Sequence, residues 1–247
     1  MNSFLKSLLA LSSILLLSNV QAHQTWLEAS GDTSKFYFGE FHKNLLEASP
    51  GSLDKFKGNS ALLISANGHE KKLNMQKQKD HFVISQVPAK GESIIVEEKN
   101  YAITAREKKG KTSRRYFIPA ARLLGDLSAQ TAKMTLDIVP TGKVNDGRLE
   151  MQATYMGKPL SKSKVSITIP AGWKMATRTD KNGLFSISMP WQGMYVVKAV
   201  KRNQTSGTRK DGETYDSMIY STSVTLMQNK GLQALPAPTV IIREKKS

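Results

Sequence analysis

Four histidines, His23, His42, His69 and His81, all lie in the first third of a 247-residue sequence that contains no cysteine. Imidazole titrates near neutral pH and is a common ligand for nickel, copper and zinc. The first histidine stands in Asn19-Val20-Gln21-Ala22-His23-Gln24-Thr25-Trp26-Leu27-Glu28, directly after a small-residue V-x-A motif. If cleavage after Ala22 frees His23, one residue offers both an α-amine of pKa about 8 and an imidazole of pKa about 6.5. Both groups lose a proton cheaply to bind a metal, so His23 is a candidate chelate for a divalent transition metal. His42, His69 and His81 are candidate supplementary ligands. No pair has the H-x-x-x-H or H-E-x-x-H spacing that sets two ligands on one helix face, so the fold must assemble any shared site. Simpler roles stand beside these: His42 next to Lys43 and His69 next to Asn67-Gly68 suit exposed turns, and His81 suits a strand edge.

Other chemistry finds little support. Without cysteine there is no thiolate nucleophile, zinc–thiolate site or blue-copper centre. The methionines after Met1 are scattered singly without an M-x-x-M cluster, which suits core filling better than Cu(I) ligation. Asp180-Lys181-Asn182-Gly183 lacks the glutamate that closes a calcium loop and reads as a turn. No G-x-S-x-G elbow and no glycine-rich phosphate loop occurs. An amine–imidazole chelate also suits copper enzymes that oxidise polysaccharides, but aromatic residues make up only 7% and form no evident cluster. An enzyme is not expected.

Residues 1–22 have the pattern of a secretory signal peptide: Lys6, then the short apolar run Leu8–Leu17, then the cleavage motif. The expected location is a bacterial periplasm, where a cysteine-free fold rests on hydrophobic cores alone. The formal charge is +16, from 36 Lys+Arg against 20 Asp+Glu. For an exported chain this suits a solvated basic surface or contact with an anionic membrane surface, lipopolysaccharide or acidic polymer, and not nucleic acid. Arg106–Arg115 (REKKGKTSRR) is the densest basic stretch and predicts an exposed hairpin, either solvated or docking an anionic partner.

Short alternating runs separated by Gly, Asn, Asp and Pro predict an all-β chain. In the first half, strands are expected at Thr25–Ala29, Lys35–Phe38, Ala61–Ala66, His81–Gln86, Ser93–Glu98 and Tyr101–Arg106. Asn67-Gly68 is expected as a hairpin turn, and His42–Phe56 as short helical turns. Pro119–Thr131 reads as a short helix or linker. The second half predicts strands Met134–Val139, Arg148–Tyr155, Lys164–Ile169, Lys174–Thr179, Leu184–Ser188, Gly193–Val200 and Ser217–Met227. Arg202–Glu213 reads as a long exposed loop, and residues 228–247 as a tail or edge strand. Trp26 is placed to anchor the new terminus in a core, while Trp173 and Trp191 suit edge-of-core packing or partner contact.

In the second half, Gly157-Lys158-Pro159-Leu160, Thr179-Asp180-x-x-Gly183-x-Phe185 and Pro190-x-x-Gly193-x-Tyr195-x-Val197 resemble the carboxypeptidase-regulatory or transthyretin-like sandwich module. With His23-x-x-Trp26-Leu27-Glu28 at the head, the chain resembles domain-of-unknown-function family 4198. That resemblance implies metal handling, because the family includes periplasmic components associated with nickel and cobalt uptake. The expected organisation is a leader (1–22), an N-terminal β domain (23–131), an immunoglobulin/transthyretin-like β-sandwich (132–227) and the tail (228–247). The expected function is a periplasmic metal-binding accessory that presents nickel or cobalt, with copper or zinc still open, to a membrane transporter. The alternative is a non-catalytic envelope interaction module without metal.

Overall fold

The computed structural model describes residues 23–58, 60–108 and 110–244. The expected leader, Asn59, Lys109 and the last three residues lie outside them. The first half contributes β1 (Gln24–Ser30), β2 (Thr33–Glu40), β3 (Leu45–Glu47), β4 (Ser60–Ile64), β5 (Glu70–Lys77), β6 (Phe82–Ile84), β7 (Ser93–Glu97) and β8 (Thr104–Lys108). The long β9 (Lys111–Leu124) follows, then β10 (Leu136–Asn145), β11 (Arg148–Tyr155), β12 (Lys158–Pro159), β13 (Lys164–Thr168) and β14 (Lys174–Arg178). Next come β15 (Leu184–Ser188), β16 (Gly193–Asn203), β17 (Gly207–Thr208), β18 (Thr214–Tyr215), β19 (Ser217–Gln228) and β20 (Ile241–Arg243). The chain is all-β, with 3-10 turns at Phe41–Lys43 and Ser52–Lys55 where helical turns were expected.

One sheet runs β14-β13-β16-β19-β9-β7-β4-β5-β6-β2-β3-β20, with β1 beside β2 and β8 beside β9. In the second half its β13, β16 and β19 face the smaller sheet of β10, β11, β12 and β15. Alternate residues of both sheets, among them Ile138, Met151, Ile167, Val197 and Val224, close one core in a sandwich. In the first half the long sheet curls so that Leu27, Phe36 and Phe38 meet Leu63, Ile94, Ala121 and Leu123 in a second core. Period-2 alternation lets β9 serve both, with Tyr116 and Ile118 in the sandwich core and Ala121 and Leu123 in the other.

The expected helix or linker at Pro119–Thr131 holds only in its second part: β9 continues through Pro119 to Leu124, and residues 125–131 connect it to β10 without strand or helix. The sequence rule fails for a local reason. On one side β9 pairs with β8 up to Arg115 and with β7 only from Ala120, so Pro119 stands in the gap between partners. A residue without an amide hydrogen is tolerated there. The two halves are also joined by a buried ion pair. Arg122 on β9 donates from Nε and Nη2 to the carboxylate of Asp137 on β10, at 3.2 and 2.6 Å, and both side chains are fully buried. The polar strand β5 was missed because EKKLNMQK buries only Met75. Arg202–Glu213 contains the small β17 strand, which pairs with β18 beyond it. The tail lies across the molecule: Leu232 bridges to Trp191, and β20 adds parallel to β3. No helix among the described residues is long and apolar enough to cross a membrane.

Candidate functional site

Cross-strand register places His23 beside Glu40, because Gln24 pairs with Gly39 and Thr25 with Phe38. Residues 23, 25 and 27 therefore share one face of the β1–β2 ribbon with 40, 38 and 36. Residues 24, 26 and 28 take the other face. His23 Nε2 lies 2.6 Å from Glu47 Oε1, and its Nδ1 lies 4.0 Å from Glu40 Oε1. Both carboxylates are almost fully buried, at 2% and 3% exposure. Lys198 on β16 donates to the His23 carbonyl at 3.1 Å. The ring packs on Phe38 at 5.3 Å. Thr25 anchors the same strand, donating to the Ala120 carbonyl and accepting from Ser223 Oγ at its own. The first strand is thus pinned close to His23, as Trp26 suggested; Trp26 itself is buried with Phe41 and Leu46.

Burial pushes both glutamates up, but the surrounding positive charge outweighs it. Lys43 lies 2.7 Å from Glu40 Oε2, and with His23 and His42 it holds this carboxyl below the usual glutamate range. The Lys43 approach is close yet poorly aligned for a hydrogen bond, so the pair is better regarded as electrostatic. For Glu47, hydrogen bonds from His23 and Ser52 and the charges of His23 and Arg243 overcome burial. Arg243, from β20, reaches the same Glu47 oxygen at 3.1 Å.

Of the four histidines, the structure brings His23 and His42 to the field of one carboxylate, Glu40. Burial first, and then Lys174, push His42 down from the usual imidazole range. His69 is exposed beyond the Asn67-Gly68 turn. His81 lies on the opposite face of the ribbon, 2.6 Å from Asp80 and packed on Tyr37. There Trp26 donates to Glu28, whose carboxyl is raised chiefly by burial. His69 and His81 make no contact with His23. Among the described residues no group of three His, Asp or Glu side chains is arranged to hold a metal ion. The two carboxylates beside His23 already carry cations, and its Nε2 is committed to Glu47. Side chains alone therefore do not fit a nickel or cobalt ion here; a chelate needs the α-amine of a chain cut after Ala22.

His23 and Glu40 lie at one end of a cleft of about 1090 Å³ between the β1–β2 ribbon and the face of the long sheet. Nine Lys and Arg side chains line it against a single carboxylate, Glu40. Alternation explains the concentration. Lys198, Val200 and Arg202 share a face of β16; Ile219 and Ser221 continue it on β19, and Arg115 and Phe117 on β9. Burial first, then Arg202 and Lys174, push Lys198 down to about 8. Sequence reasoning found the basic run at Arg106–Arg115 but not its partners, because Lys198 and Arg202 look like ordinary solvent-facing positions of a strand.

A search of curated proteins finds no match. Among solved structures, the chain aligns to one reported as "Structural insight into host cell surface retention of a 1.5-MDa bacterial ice-binding adhesin". The identity is 12%, covering 85% of this chain and 66% of the other, just under two thirds of its length. The TM-score is 0.22, which supports no argument about fold or function. The family comparison is decisive over most of the sequence: residues 20–203 match a domain of unknown function, and the chain belongs to that family, DUF4198.

Proposed function

We propose that the protein is a non-catalytic capture module of the bacterial periplasm that holds an anionic envelope ligand in the cleft beginning at His23. One observation carries the reading: nine basic side chains against one carboxylate around a cleft of ligand size. Low-dielectric walls focus such a field and raise the local concentration of anions. The leader-like pattern of residues 1–22 supports export.

A second reading keeps the metal. His23 Nδ1 and the buried Glu40 Oε1 face each other across 4.0 Å, and a processed chain would add its α-amine. In that reading the protein presents nickel or cobalt to a membrane transporter. Isothermal titration of residues 23–247 separates the two. Inorganic tripolyphosphate should bind, with affinity falling as salt rises, and should bind equally to a form carrying a Met ahead of His23. Absence of tripolyphosphate binding, together with nickel or cobalt binding that the extra Met abolishes, would overturn the anion reading in favour of the metal.

A further inference from the structure

The protein has nine arginines, and their guanidinium groups divide into two sets. Six donate hydrogen bonds to oxygen acceptors. Arg122 and Arg243 reach carboxylates, Arg209 reaches Asp211 and Glu213, and Arg114 reaches Thr214. Arg148 and Arg178 reach the carbonyls of Ser186 and Lys162. Among the described residues, the three for which no such bond is found, Arg106, Arg115 and Arg202, line the same cleft.

Register explains how they meet. Arg115 on β9 pairs with Thr104 on β8, two residues before Arg106. Across β19, Ile219 is the partner of both Phe117 and Arg202, so Arg202 shares the face that carries Phe117 and Arg115. Burial first, and then the charges of Arg202 and Arg106, depress the Arg115 guanidinium, which reports how closely the three gather. Like charges held together without a carboxylate oppose folding. A multiply charged anion relieves that repulsion, and the planar donor fork of arginine matches tetrahedral oxyanions in a bidentate way. Ser113 and Thr104 line the same cleft and supply hydroxyl donors.

We infer that Arg106, Arg115 and Arg202 form an oxyanion site that takes a phosphate group of the ligand. The inference rests on the cleft being the ligand site and assigns the group that its outer end reads. A phosphate on a lipid headgroup and a free oligophosphate share this chemistry, so the test includes both.

The experiment titrates residues 23–247 with inorganic pyrophosphate. It compares the unaltered protein with Arg115→Gln, Arg202→Gln, Lys43→Gln and the control Arg148→Gln. Binding weakened roughly tenfold by each of Arg115→Gln and Arg202→Gln, and unchanged in Arg148→Gln, is the expected result. Circular dichroism melts check that each variant is folded. Binding that ignores both arginine variants but weakens in Lys43→Gln overturns the site while leaving the cleft reading intact. No binding by the unaltered protein overturns the cleft reading itself. In a second arm, phosphatidylcholine vesicles carrying phosphatidic acid are sedimented with the same proteins. Retention that Arg115→Gln and Arg202→Gln abolish assigns a lipid phosphomonoester. Pyrophosphate binding without retention assigns a free phosphate ligand, and retention that survives both variants overturns the site.

Discussion

Replacing Asp137 by Asn removes one charge from the pair that ties β9 to β10 while keeping the side-chain shape. The Asp137 carboxylate accepts from Arg122 Nε and Nη2 and from the backbone amides of Lys133, Met134 and Ile138. Arg122 is 0% exposed and also donates to Ser93 Oγ at 2.6 Å, so it cannot turn to solvent when its partner is neutralised. Breaking a buried pair by removing one charge costs about 3–5 kcal/mol, because the other is left uncompensated. An Asn amide would also set an NH2 group against donors that the carboxylate now satisfies, which places the estimate at the upper end. For a domain of this size about 1 kcal/mol moves the melting midpoint by roughly 2–4 °C. The expected fall is therefore roughly 10–20 °C by differential scanning calorimetry. The double variant Arg122→Met/Asp137→Leu should recover only part of that loss, because it removes the uncompensated charge but leaves the amides of Lys133, Met134 and Ile138 without their acceptor. The exposed pair Lys79–Glu244 provides the control: Lys79→Gln should leave the midpoint in place. A fall under about 1 kcal/mol in Asp137→Asn would refute the claim that this pair is dry and tightly held.

Other expectations concern the cleft. Glu40 and Glu47 have folded pKa values below their unfolded value of 4.5, so their stabilising contribution is full above that pH and lost as pH falls through the folded values. Melting midpoints of the unaltered protein and Glu47→Gln should differ at pH 7 and converge on acidification below about 4.5. Lys198, near 8, loses its charge as pH rises from 7 to 9, so tripolyphosphate affinity should fall over that range and the dependence should flatten in Lys198→Met. At Gly39, a Cβ would run into the backbone carbonyl of Leu45 on β3. Gly39→Ala should therefore cost about 1–3 kcal/mol in chemical denaturation and weaken cleft binding by displacing the strand that carries Glu47.

Turn chemistry made much of the fold legible. Gly68, Gly147 and Gly183 adopt positive φ of 84°, 70° and 73° at punctuation that the sequence marks clearly. Alternating apolar residues marked the sandwich strands for the same reason: one face of each must be buried. What escaped were features whose physics is not local. Pro119 lies inside a strand because its neighbours change partners there, which no spacing rule reports. Arg122 in Ala121-Arg122-Leu123 reads as a solvent-facing charge, yet Asp137 meets it from another strand. Glu40 and Glu47 look like surface carboxylates until β16 and β20 bring Lys198 and Arg243 beside them. His23 stood out as a candidate because its chemistry was stated in its own neighbourhood, and the basic hairpin because its charges are consecutive. The cleft as a whole was not, since it is a product of sheet register.

The tail strand also fixes an order of events. Glu47 is held by residues 23 and 243, so its surroundings draw on segments near both ends of the sequence. Contacts of such separation form late, after the loops between them have been closed. As a nascent chain emerges, the sandwich and the curled sheet can assemble before β20 arrives to cover β3. The inner end of the cleft is then among the last parts to mature, and a protein caught midway carries Glu47 without its guanidinium partner.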